Sequence, residues 1–188
     1  ERRFLDTIVE SAKSAGTLVD DLLSFSQMGR STLGRVRVDM RALAEEVRGS
    51  LVMEAGERPI TWNIPMLPVL EADPAMLRLV WQNLFSNAIK FTRDTPAPVI
   101  EVEYTRDRDE HHFLVRDNGC GFDMRYVDKL FGVFQRLHHV DEYDGTGIGL
   151  ANVRRIIDRH GGRTWAEGAI GEGATIHFTL PIPAGDSQ

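Results

Sequence analysis

Asp73-Pro-Ala-Met-Leu-Arg-Leu-Val-Trp-Gln-Asn83-Leu-Phe-Ser-Asn87-Ala-Ile-Lys90-Phe91 carries the signals of a helix and of a polar site on that helix. Asp73 is a good N-cap and Pro74 sits at the first helical position, so a helix running to Phe91 is expected. Asn83 and Asn87 are four residues apart and Lys90 is three further on, which puts all three on one face. Asparagines at this spacing are commonly just solvated. Their amide oxygens are also hard donors of the kind Mg²⁺ accepts, and a lysine beside them adds a point charge suited to phosphate.

Three glycine-rich stretches follow: Asp117-Asn-Gly119-Cys-Gly121, Gly145-Thr146-Gly147-Ile148-Gly149-Leu150 and Gly171-Glu-Gly173-Ala-Thr175. Each passes alone for a loop. Asp-Asn-Gly is turn chemistry, and Gly171-Glu-Gly173 would serve as a hairpin connection. Asp117, however, ends an alternating segment. A carboxylate accepts the exocyclic amino hydrogen of adenine, where guanine offers no such donor, and neighbouring glycines let backbone approach a flat base. The stretch from Gly145 opens directly into a helix, whose first N–H groups and positive dipole end suit phosphate. Polar or glycine-rich sites at the edges of successive elements point to one nucleotide site assembled from distant segments.

In order and residue type these stretches resemble the N, G1, G2 and G3 boxes of the ATP-binding domain of sensor histidine kinases. Phe131-Gly-Val-Phe134-Gln-Arg136 looks like that family's F box, and the resemblance runs from about Val36 to Pro181. It implies ATP and Mg²⁺ as ligands, with Asn87 holding the metal, Asn83 supporting the phosphate and metal shell, and Lys90 near the phosphates. Phe91 would pack on the adenine, where the family often has tyrosine, and Asp117 would read its amino group beside Gly119 and Gly121. Phosphate contacts fall to Gly145, Thr146, Gly147, Ile148, Gly149 and Leu150, and Thr175 would help to position Asp117 and a water. Arg136 would reach the γ-phosphate in one state of a lid between Arg136 and Gly145. His138 and His139 lie in that segment without the cysteine or carboxylate spacing of a zinc site.

Hydrolysing relatives carry a glutamate one helical turn before the metal-binding asparagine. That place here is Asn83, so water attack should be slow and the chemistry implied is that of a protein-histidine kinase. None of His111, His112, His138, His139, His160 and His177 lies in the acceptor motif of that family. Asp20-Asp-Leu-Leu-Ser-Phe-Ser26 looks instead like the second helix of its dimerisation hairpin. A fragment is therefore expected, with the acceptor helix preceding Glu1 and no autophosphorylation by this chain alone. A response regulator receiver domain is the implied partner. The segments from Phe134 and from Arg159 most resemble the kinase modules of bacterial phytochromes and PAS-linked sensors. Two other readings stay open: a non-catalytic dimerisation and docking module with a regulatory or vestigial ATP site, and a Bergerat-type protein serine kinase.

From Phe4 to Met28 apolar residues recur at helical spacing. Such a stripe needs a partner, and a homodimer through residues 1–30 is expected, non-native if truncation has removed the pairing helix. Gly29 and Gly34 suggest a hinge over 31–35, followed by a nucleotide domain over 36–183 and a polar tail over 184–188. Within that domain Val36–Val38, Ile60–Ile64, Val99–Thr105, His112–Arg116, Arg163–Glu167 and Ala174–Leu180 read as strands. Asp39–Glu54, Met124–Leu130 and Ile148–Arg159 read as helices. The fold class is α+β, a two-layer α/β sandwich with a mixed sheet and helices on one face, the Bergerat fold of the resemblance, preceded by the long helix.

Composition is that of a water-exposed globular chain, with 42% hydrophobic and 27% charged residues. A net charge of -6 without a basic tract argues against nucleic acid. No apolar run reaches the roughly 20 residues that span a bilayer, so no membrane contact is expected. A single cysteine, Cys120, makes no intrachain disulfide and fits a reducing, cytoplasmic setting.

Overall fold

The computed structural model describes residues 32–55, 58–135 and 145–183, together with Ala12, Ala15, Gly16, Val19, Leu22 and Leu23, each of them helical. The rest of the N-terminal stripe, Gly29, Arg136, His138, His139 and the tail 184–188 lie outside the described residues. In chain order the elements are β1 (Val36–Asp39), α1 (Met40–Ala55), β2 (Thr61–Asn63), β3 (Val69–Ala72), α2 (Pro74–Phe91), β4 (Val99–Arg106) and β5 (Glu110–Asp117). A 3₁₀ turn (Met124–Lys129), α3 (Gly149–Arg159), β6 (Thr164–Ala169) and β7 (Gly173–Pro181) complete them.

Five strands form one sheet in the order β2-β4-β5-β7-β6. β2 runs parallel to β4 and every other pairing is antiparallel. The sheet is mixed, as expected. β1 and β3 form a separate antiparallel pair with Val36 opposite Ala72. The sequence showed no element at 69–72, because four residues behind Pro68 carry too little pattern and their partner lies far upstream. Met124–Leu130 was expected as a short helix, and it is the tighter 3₁₀ form.

α2 joins the layers. Met76, Leu77, Val80, Trp81, Leu84, Phe85 and Ala88 are buried along one side of it, while Asn83, Asn87 and Lys90 occupy the other. Trp81 meets Phe85 at 5.3 Å and takes the edge-on approach of Phe113 and Phe178 at 6.3 and 5.6 Å. Phe113 and Phe178, from neighbouring strands, stack at 4.9 Å. Aromatic rings in such contact add to the gain from burial alone. The opposite face of the sheet is polar: Arg116 pairs with Glu103 at 3.1 Å, and Trp165 stacks on His177 at 4.8 Å.

The N-terminus of α2 is fixed by Asp73. One carboxylate oxygen accepts the Ala75 and Met76 N–H groups, both at 3.1 Å, and the other accepts Gly34 N–H at 3.0 Å. The Asp73 N–H donates to His160 Nε2 at 3.2 Å, and His160 Nδ1 faces the Ile156 carbonyl at 2.8 Å. With Nε2 accepting, Nδ1 carries the proton and the ring is neutral. Burial holds the His160 pKa below its ordinary value. The end of α3 and the chain at Gly34 are thus both tied to the start of α2. Asp39 likewise caps α1 through Ala42 N–H at 3.0 Å. Among the described residues no helix is long and apolar enough to cross a membrane.

Replacing Asp73 with Ala strips this cap. A loss of about 1–2 kcal/mol in urea unfolding is expected, with an unchanged denaturant slope. An unaltered midpoint would show that the cap contributes nothing.

Candidate functional site

The outward side of α2 lines one flank of the site. Asn83 turns its amide nitrogen back to the Leu79 carbonyl at 2.7 Å. A Cβ placed on Gly149 would lie 2.6 Å from Asn83 Oδ1, so the first turn of α3 rests against this side chain. Asn87, half-buried one turn further on, makes no side-chain hydrogen bond among the described residues. Lys90 Nζ sits 4.4 Å from the centre of the Phe91 ring, and a Cβ on Gly145 would lie 3.2 Å from that nitrogen. The glycine-rich turn and the lysine are neighbours. Ile148 stands at the N-cap of α3 and supplies no side-chain hydrogen bond. Its own side chain is fully buried and anchors the turn. A helix start without a side-chain cap leaves N–H groups available to an anion.

The second flank is the loop after β5. Asp117 is buried, with Oδ1 accepting Gly119 N–H at 2.9 Å. The Cys120 N–H donates to the Phe91 carbonyl at 3.1 Å, and a Cβ on Gly119 would overlap that same oxygen. Only glycine allows the loop to lie this close to α2. Gly173 has a φ of +91, and a Cβ there would overlap the Asp117 carbonyl, so the β6–β7 hairpin seals the other side. Asn118 does more than complete the turn. Its side chain accepts Val99 N–H at 2.8 Å and donates to the Ala97 carbonyl at 2.9 Å, binding the loop to the start of β4.

The structure brings Asn83, Asn87, Lys90, Phe91, Asp117, Gly119, Gly121 and the turn 145–150 around one region. Thr175, expected beside Asp117, does not join them. The register sets Asp117 opposite Ala174 and Arg116 opposite Thr175. The Thr175 hydroxyl lies 3.4 Å from Arg116 Nε on the polar face of the sheet, and alternation turns it away from Asp117. Arg136 lies outside the described residues.

Electrostatically, Asp117 is the unusual group. Burial pushes its carboxyl from 3.8 up to about 6, against the pull of the Gly119 and Ala174 N–H groups. Near neutral pH it is an ionised acceptor already stripped of most of its water. Among the described residues no cluster of three or more His, Cys, Asp or Glu side chains could hold a metal. A metal here would need Asn87 and the oxygens of a bound phosphate.

Residues 72–184 match the family model described as histidine kinase-, DNA gyrase B- and HSP90-like ATPase. Cyanobacterial phytochrome A of Nostoc sp. (strain PCC 7120) is 39% identical over 95% of this chain and 23% of that protein. The methanogenesis regulatory histidine kinase FilI of Methanothrix harundinacea is 35% identical over 95% of this chain and 20% of that protein. The chain thus spans about a quarter or less of these relatives. Among solved structures, full-length ShkA in complex with AMPPNP superposes with a TM-score of 0.74 at 28% identity, covering 96% of this chain and 38% of that one.

The raised carboxyl has a measurable consequence. Asp117 binds its proton more tightly folded than unfolded, so its favourable contribution is complete below about pH 4 and lost as pH rises through about 6. A rise of that size corresponds to at most about 3 kcal/mol. Asp117→Asn, which cannot ionise, should gain stability relative to the parent between pH 4 and 7 in urea unfolding. A pH-independent gap between the two would contradict a buried, ionising carboxyl.

Proposed function

The chain belongs to the family of histidine kinase-, DNA gyrase B- and HSP90-like ATPases, and on that premise we propose that it is the catalytic core of a two-component sensor histidine kinase. It binds Mg-ATP and delivers the γ-phosphate to a histidine on an acceptor helix. The observation that carries the proposal is Asn83. In the hydrolysing relatives this place belongs to a glutamate that activates water. Here it holds an amide whose nitrogen is bound to Leu79 and whose oxygen faces Gly149. An amide is no general base, so the site favours holding ATP intact over hydrolysing it.

The residues divide the work by chemistry. Asp117 accepts the adenine amino hydrogen, and the glycines beside it leave room for the base. Phe91 packs on the ring. Lys90, adjacent to the turn at Gly145, neutralises phosphate charge, and N–H groups of 145–150 donate to the phosphate oxygens. The half-buried amide of Asn87, with no hydrogen bond among the described residues, fits Mg²⁺, which takes one or two protein oxygens and completes its shell with phosphates and water. Bound there, the ion would screen the phosphate charge. Residues 1–30 serve as one helix of a dimerisation hairpin, the stretch up to Arg35 as a hinge, and 36–183 as the nucleotide domain. The response regulator's receiver domain takes the phosphoryl group onward.

Calorimetric titration with a non-hydrolysable ATP analogue and Mg²⁺ tests the site. Saturable binding is expected, about 10- to 100-fold weaker in Asp117→Asn, the scale of one hydrogen bond to a charged group. In Asn87→Ala the gain in affinity on adding Mg²⁺ should vanish while folding persists. With ATP in place of the analogue, phosphohistidine on an added acceptor-helix protein is the expected product. Phosphoserine in its place would redirect the proposal to another kinase class.

A further inference from the structure

Arg58 belongs to none of the sequence motifs. It lies in the segment leading into β2, and its guanidinium reaches the far end of α2. Nη1 donates to the Thr92 carbonyl at 2.8 Å, and Nη2 donates to the Ile89 carbonyl at 2.9 Å and to Thr92 Oγ1 at 3.1 Å. The last carbonyls of a helix have no partner within it, and a cation there also suits the dipole. Thr92 is fully buried and donates its hydroxyl hydrogen to the Ala88 carbonyl at 2.7 Å. The final turn is therefore clamped from outside its own helix.

That turn carries Lys90 and Phe91. The Phe91 carbonyl holds Cys120 N–H at 3.1 Å, and Gly119 N–H holds Asp117 at 2.9 Å. A second route leaves the same segment. Thr61 N–H donates to the Pro98 carbonyl at 2.9 Å, and Val99 N–H donates to Asn118 at 2.8 Å. Both sides of the loop bearing Asp117 are thus referred to the segment that begins with Arg58.

We propose that Arg58 is a positioning residue for base recognition: by clamping the last turn of α2 it sets Asp117 and Phe91 at the spacing an adenine requires. The proposal rests on the reading of Asp117 as the adenine acceptor. Arginine suits the task because its planar fork presents several donors in fixed geometry, whereas a lysine ammonium is a compact charge on a flexible stem.

The test measures Mg²⁺-dependent affinities for non-hydrolysable ATP and GTP analogues in the intact chain, for the parent, Arg58→Met, Arg58→Lys and Asp117→Asn. The ratio of the two affinities is the readout, because a general loss of stability lowers both together. Arg58→Met should reduce the preference for ATP by about tenfold, the equivalent of one charged hydrogen bond, and Arg58→Lys should fall between it and the parent. If Arg58→Met does not fold, Arg58→Lys carries the test, and parental discrimination in it overturns the proposal. Unchanged discrimination in the Arg58 variants, with its collapse in Asp117→Asn, removes the role of Arg58 and leaves the Asp117 reading intact. Unchanged discrimination in Asp117→Asn overturns both.

Discussion

The Phe91 carbonyl is where the helical layer and the sheet layer meet. As the last residue of α2 it has no partner inside the helix, and it takes Cys120 N–H from the loop after β5. The approach is so close that Gly119 has no room for a Cβ. One backbone bond thereby sets the spacing between the two flanks of the site. Lys90 and Phe91 lie on one side of it and Asp117 on the other. Buried backbone groups left unpaired are expensive, so this contact resists being pulled apart.

Around that contact the chain holds an acid in an unfavourable state. Asp117 is stripped of most of its water, and among the described residues the Gly119 and Ala174 N–H groups offset the cost of its charge. Folding without a base present leaves part of that desolvation cost unrecovered. A partner offering amino hydrogens would recover some of it, because such bonds gain strength in a site that excludes water. Specificity and instability then share a physical origin. A fully solvated carboxylate would exchange one hydrogen-bonding partner for another with little net gain.

Much of this was legible in the sequence, wherever the signal was local. Asp73-Pro74 announced the start of α2, the spacing of Asn83, Asn87 and Lys90 gave its polar face, and alternation gave β4 and β5. What escaped depended on distant partners. β3 became a strand only through β1. Arg58 binds backbone carbonyls, and no side-chain pattern advertises those. The resemblance that put Thr175 beside Asp117 aligns a turn but not the phase of the strand after it. The register of β7 against β5 decides which side chains face inward, and it favours Ala174 by a single position.

α2 owes its fixed position to elements at both ends. Asp73 ties its start to Gly34 and, through its N–H, to the last turn of α3 at His160. Arg58 clamps its finish. Its apolar side is locked by Trp81 between Phe85, Phe113 and Phe178. A helix held on three sides has little freedom to rotate or slide, so the polar face is oriented before any ligand arrives. The turn from Gly145 to Gly149 is held in another way: positive φ at Gly145 and Gly147 shapes its backbone, and the buried Ile148 side chain anchors it beside Lys90 and Asn83. Both walls are thus positioned by buried apolar side chains rather than by the polar groups they present.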